Sequence, residues 1–270
     1  MTTGQGTIRY ERRGHVGVVT IDRPARRNAL DETMWRALEG AIDAVEQAPP
    51  RAIVLTGEAD AFTAGMDVNP DNPLVQGVIA AVQQKDPAPV AAMMKRIVDV
   101  LERFFALPMP IIAAVNGLAY GGGAEIATRC DLRVADPRAV ICFSEVRLGL
   151  MPDWGGGVAL TRLLGPAKAA ELILTARRVG AIEAHALGLV NRVSAEGQSV
   201  HEAMALAETI AKNGPRAVRA ALSVIRTSGD YPRAEAMARE LDAAVALIAD
   251  GECVHGITAF LARKEPEFPG

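Results

Sequence analysis

Residues 116–125 read NGLAYGGGAE, and the three consecutive glycines at 121–123 are the strongest local constraint on how this chain folds. Such a cluster predicts a tight strand-to-helix turn, with Glu125 in the first turn of the helix that follows. Glycines there leave backbone N–H groups open to a ligand, and the positive end of a helix favours an anion. The turn can hold an oxyanion beside a carboxylate that moves protons. It also fits a plain turn whose glutamate complements the helix dipole, so the rest of the chain has to decide.

The first two thirds predict short strands broken by Gly and Pro. Residues 8–10 and 15–21 form a strand pair turning at Gly14, and Asp31 opens a helix over 31–45 with Met34, Leu38, Ile42 and Val45 at helical spacing. β-rich runs follow at 51–55 and 111–115. Between them, 69–89 is rich in Pro, Asp and Gln and reads as an irregular surface excursion, followed by a helix over 90–107. After the glycine turn come a short helix, strands at 132–135 and 139–143, and a second glycine cluster at 155–157. From 159 onward the pattern is helical, apart from a short strand at 190–193. A strand, strand, helix rhythm recurs without a strict repeat, and a soft boundary at 194–199 separates residues 1–195 from a helical region, 196–270.

Composition narrows the function. With 29 basic and 32 acidic residues well mixed, and aromatics at only 4%, the chain offers neither the basic block nor the stacking platforms of a nucleic-acid binder. No run of eighteen apolar residues and no apolar leader segment are evident, which predicts no membrane span and a cytoplasmic protein. Cys130, Cys142 and Cys253 lack metal-ligand spacing, and the four histidines are scattered, so no metal site is expected.

Three segments share one design. AFTAGMDV at 61–68 places a glycine just after a strand, the 121–125 turn does so again, and SEVRLGLMPDWGGG at 144–157 adds a second carboxylate, Glu145, and a third, Asp153. The glycine turn lacks the lysine of a phosphate-binding loop, its position and spacing are wrong for a dinucleotide fingerprint, and no GxSxG elbow supports Ser144 as a nucleophile. Paired carboxylates with backbone donors remain, and they suit enolate chemistry. Read locally, Asp153 also fits a cap on the helix that opens at the second glycine cluster.

At this point the chain resembles the crotonase, or enoyl-CoA hydratase/isomerase, superfamily. The matching pieces are RPARRNALD at 23–31, AFTAGMD, NGLAYGGGAEIATRCDLRVA, FSEVRLGLMPDWGGGVALTRLLG, the LGLVNRV segment and the late GITAFLARKEPEF, in family order across nearly the whole chain. The resemblance implies an α/β spiral of repeated ββα turns, a helical carboxy-terminal region used to form trimers or dimers of trimers, and acyl-CoA thioesters as substrates with no further cofactor. It also implies an oxyanion hole from the N–H groups of Met66 and Gly122, and acid/base roles for Glu125 and Glu145. Asp153 falls where related isomerases carry a catalytic aspartate and a related dehalogenase its nucleophile. Arg23, Arg26, Arg27, Ala64 and Asp67 match positions that approach CoA, and Phe260 and Arg263 match a pair that reaches a neighbouring subunit's CoA. The expected reaction is hydration of a 2,3-enoyl-CoA. The alternatives are an enoyl-CoA or dienoyl-CoA isomerase using Glu145 or Asp153, and a non-catalytic CoA- or RNA-binding homologue.

Overall fold

The computed structural model describes residues 6–269. Among these described residues ten strands build two sheets. The larger contains β1 (Thr7–Arg13), β2 (Val16–Asp22), β3 (Ala52–Gly57), β5 (Ile111–Val115), β7 (Leu132–Ala135) and β10 (Arg192–Val193), paired in that order. The smaller pairs β4 (Ala61–Thr63), β6 (Leu118–Tyr120), β8 (Val140–Cys142) and β9 (Val179–Gly180). From β3 to β8 the chain places alternate strands in alternate sheets, so each turn contributes one strand to each layer and then leaves through helix. Neighbouring turns pair in parallel, β3 with β5 with β7 and β4 with β6 with β8. This is the expected ββα spiral.

The helices are α1 (Glu32–Gln47), α2 (Pro73–Gln84), α3 (Ala88–Phe105), α4 (Gly122–Arg129), α5 (Gly156–Leu164), α6 (Pro166–Thr175), α7 (Ala181–Leu187), α8 (Ser199–Ala211), α9 (Pro215–Thr227), α10 (Arg233–Asp250) and α11 (Glu252–Leu261). In α1 the Asp31 carboxylate accepts from the Met34 N–H at 3.0 Å, and Met34, Trp35, Leu38, Ile42 and Val45 are buried on one face. Each large apolar side chain buried in this way is worth about 1.5–3 kcal/mol. The other side of the large sheet is covered by α8, whose Ala203, Ala207 and Ala211 recur every fourth position against Val16, Val54, Ile112 and Val134. Small side chains let the helix lie close to the sheet.

The expected irregular excursion at 69–89 is corrected by α2. The Asn72 side chain caps it by accepting from Leu74 N–H at 3.1 Å, and Pro73 occupies the first turn, where its missing N–H costs nothing. Its apolar face lines a cavity, which leaves Ala81 as its only buried residue.

Beyond α8 the packing thins. Helix α9 is tied down by Arg226, which pairs with the Asp131 carboxylate at 2.6 Å and donates to the Leu107 carbonyl at 2.8 Å. No residue of α10 is buried. Instead Met237, Leu241, Val245 and Ile248 form an exposed apolar stripe that Val254, Ile257 and Phe260 of α11 continue. No single described helix is long and apolar enough to cross a membrane. In the division of the chain at 195, residues 1–5 and 270 lie outside the described residues.

Candidate active site

A cavity of about 1060 Å³ opens where the glycine turns meet the α2–α3 pair. Its polar lining comes from strand ends and turns, and includes Ala64, Met66, Gly122, Glu125, Glu145 and Asp153. Its apolar lining comes from α2 (Leu74, Val75, Val78), α3 (Val90, Met93, Met94) and the segment 148–151. The three sequence segments that share a glycine-plus-carboxylate design thus converge on one hollow.

Glu125 stands in the first turn of α4 and is only 1% exposed. Its carboxylate accepts from the N–H groups of Trp154 and Gly156, both at 2.8 Å, and from that of Asp153 at 3.3 Å. These donors make Glu125 the cap of α5, which corrects the local reading of Asp153 as that cap. The Asp153 carboxylate makes no capping bond to α5 and faces the cavity rim. A Cβ on Gly156 would lie 2.3 Å from Cγ of Glu125, so only glycine allows this approach.

Glu145 opens a 3-10 turn, Glu145–Leu148, just after β8, and is 8% exposed. Neither of its carboxyl oxygens meets a donor among the described residues. The two carboxyls influence each other's ionisation: the Glu145 charge favours the neutral form of Glu125, and a proton on one would let it donate to the other. Burial pushes the Glu125 carboxyl up to about 7. The N–H groups of Gly156 and Trp154 oppose the shift, and the Glu145 charge adds to it. Burial likewise raises Glu145. Desolvation, with the Glu125 charge second, lifts Asp153 to about 6.

Met66 and Gly122 line the same cavity as this trio. Leu30 and Met66 form a lone parallel bridge, in which Leu30 N–H donates to the Gly65 carbonyl at 2.7 Å and Asp67 N–H to the Leu30 carbonyl at 2.9 Å. Ala64 N–H donates to the Arg27 carbonyl, and Gly65 N–H to Thr63 Oγ1. Among the amides of residues 64–67, only that of Met66 has no acceptor among the described residues. Gly122 is the first residue of α4, where an N–H has no partner within its own helix. The two segments touch: a Cβ on Gly65, whose φ is +81°, would sit 2.7 Å from the Gly122 nitrogen.

Fewer of the expected CoA residues lie on this cavity than the sequence suggested. Ala64 and Arg27 line it. Arg23 and Asp67 do not: Arg23 pairs with Asp67 at 2.7 Å and with Asp31 at 3.0 Å, with both side chains of the Arg23–Asp67 pair largely buried. Burial pushes the Asp67 carboxyl up, but the Asn69 N–H and Arg23 outweigh it and hold it below its usual range. Removing one partner of such a pair costs about 3–5 kcal/mol, so the pair is a structural tie, and both residues also line a smaller hollow with Arg26. Phe260, 80% exposed on α11, and Arg263 just after it lie off the cavity of their own chain.

Comparison with known proteins matches the Enoyl-CoA hydratase/isomerase family model over residues 11–270. The chain belongs to this family. It is 36% identical over 262 residues to the enoyl-CoA hydratase EchA19 of Mycobacterium tuberculosis, covering 96% of this chain and 94% of that one. It is 32% identical over 263 residues to the crotonyl-CoA hydratase of Syntrophomonas wolfei, covering 97% of each. Among solved structures, an enoyl-CoA hydratase from Polaromonas superposes with a TM-score of 0.88 at 31% identity, over 98% of this chain and all of that one. One from Geobacillus kaustophilus gives 0.86 at 36%, over 99% and 100%.

Two features of this family member escaped the sequence reading. Helix α2 was hidden because Asn72–Pro73, a helix-start signal, sat inside a Pro-rich and Asp-rich stretch. Trp154, whose ring packs on Gly122 and lies 5.1 Å from the Trp35 ring, reads in sequence only as part of a turn.

Proposed function

We propose that this chain adds water across the 2,3 double bond of an enoyl-CoA thioester and uses no resident metal or cofactor. The reading rests on the two buried carboxyls, Glu125 and Glu145, which share one hollow with the unpartnered N–H groups of Met66 and Gly122. Those N–H groups donate to the thioester oxygen as it gains negative charge, and fixed donors of this kind need no reorganisation during reaction. Glu125 takes a proton from water as its oxygen bonds to C3. Glu145 delivers a proton to C2. One proton shared between two carboxyls is the stoichiometry this step requires, and exchange across the pair resets it.

The wall formed by α2, α3 and 148–151 suits a hydrocarbon acyl tail longer than four carbons. Each further methylene buried there contributes about 0.8 kcal/mol, roughly fourfold in kcat/KM. Hydration rates with crotonyl-, hexenoyl-, octenoyl- and decenoyl-CoA test both points, and kcat/KM is expected to climb along the series. Failure to hydrate any of them, with conversion of a 3-enoyl-CoA to its 2-enoyl isomer, overturns hydration in favour of isomerisation. That second reading draws its support from Asp153, a third carboxyl on the same cavity with its proton affinity raised.

The exposed apolar stripe of α10 and α11 supports self-association, as trimers or dimers of trimers. In that assembly Phe260 and Arg263 reach CoA bound by a neighbour. Light scattering is expected to give a multiple of three chains, and Arg263→Glu to raise KM more than it lowers kcat. A fully active single chain contradicts this.

A further inference from the structure

Arg129 is the last residue of α4, one turn beyond Glu125, and its side chain is only 10% exposed. It does not line the cavity. One guanidinium nitrogen, Nη1, donates to the Trp154 carbonyl at 2.7 Å. The other, Nη2, donates to Glu102 of α3 at 2.7 Å, and the guanidinium carbon lies 4.3 Å from the centre of the Phe105 ring. A cation at the end of α4 complements the helix dipole wherever it points. The direction of this one carries more information, because the peptide group whose carbonyl it holds belongs to the turn that solvates Glu125.

That turn does three things at once. The N–H groups of Trp154 and Gly156 both donate to one oxygen of Glu125. The Trp154 ring closes on Gly122, where an added Cβ would lie 2.1 Å from the ring. Asp153 is set on the cavity rim by the same stretch of backbone. Gly155 has a φ of +87° and no side chain to lock it, and α5 has no side-chain cap of its own at that end. Besides the Glu125 carboxylate itself, Arg129 is a second side chain of α4 that ties the turn back to that helix.

We propose that Arg129 is a positioning residue of the active site: by gripping the Trp154 carbonyl it keeps the 153–156 turn in register with Glu125, so that the turn's N–H groups remain on the carboxylate that receives the proton from water. It also links α3, which carries part of the acyl wall, to the catalytic turn. The inference rests on the assignment of Glu125 as the base. Hydration of crotonyl-CoA by the unaltered protein is therefore measured first. If that protein shows none, the assignment fails rather than the role of Arg129.

The test is the pH profile of kcat. The N–H groups of Trp154 and Gly156 favour the charged carboxylate, so loosening them makes Glu125 hold its proton to higher pH. Arg129→Met is expected to move the acid limb of the profile upward by about 0.5–1 pH unit and to leave KM within about twofold, because the side chain does not face substrate. Arg129→Lys keeps the cation but offers one nitrogen where two acceptors wait, so it is expected to shift the limb in the same direction by less. Glu102→Gln keeps the grip on Trp154 and is expected to leave the limb in place. If the methionine variant does not fold, the lysine variant carries the test. A limb that does not move when Arg129 is replaced overturns the proposal, as does an equal movement in Glu102→Gln.

Discussion

Glu145→Gln is expected to lower the turnover of crotonyl-CoA hydration by about 10² to 10⁴, and Glu125→Gln by a similar factor. Each change removes one of the two proton-transfer groups while keeping the size and shape of the side chain. The amide in place of Glu125 can still accept from the Trp154 and Gly156 N–H groups, so the turn stays in position and the loss reports chemistry rather than collapse. Asp153→Asn should be much milder, since Asp153 caps nothing and stands at the rim. Loss of absorbance of the conjugated thioester measures all three. Full hydration by Glu145→Gln would sink the assignment, and an Asp153→Asn defect as deep as either glutamate change, with one glutamate dispensable, would make the enzyme an isomerase.

The same Glu125→Gln protein should be more stable than its parent at pH 8, by roughly 3 kcal/mol, while the two are nearly equal at pH 5. A carboxyl that titrates near 4.5 when exposed and at about 7 when folded binds its proton more tightly in the folded state. Stability is therefore greatest below the unfolded value and falls as pH rises through 4.5 to 7, because ionisation then costs more inside the protein than outside. Glutamine does not ionise and escapes that fall. Thermal melts at the two pH values decide the matter: an equal gap at both would show that the buried charge is not what destabilises the parent.

How much of this was legible in the chain depended on distance along it. The glycine turns, the spiral of strand pairs and the two glutamates were all readable, because each is signalled within a few residues. Asp153 misled because a glutamate twenty-eight positions earlier does the capping, and no local rule sees that far. The ion pair of Arg23 with Asp67, forty-four positions later, was likewise beyond any local rule. Helix α2 was missed for a different reason, since its apolar face meets a cavity and leaves a weaker pattern than a core helix would.

The bridge between Leu30 and Met66 has a consequence for how this enzyme can change. Leu30 bonds the residues on both sides of Met66, the Gly65 carbonyl and the Asp67 N–H, and so fixes where the Met66 amide falls. Inserting or deleting a single residue between Thr63 and Met66 would turn a different N–H toward the thioester, or none. That stretch acts as a ruler of fixed length. Residues 69–87, which line the cavity through α2, hold none of the backbone N–H groups of the proposed oxygen site. The enzyme is thus divided into a part whose length is frozen by charge stabilisation and a part free to be lengthened or shortened, so new acyl groups can be accommodated without disturbing the hold on the oxygen.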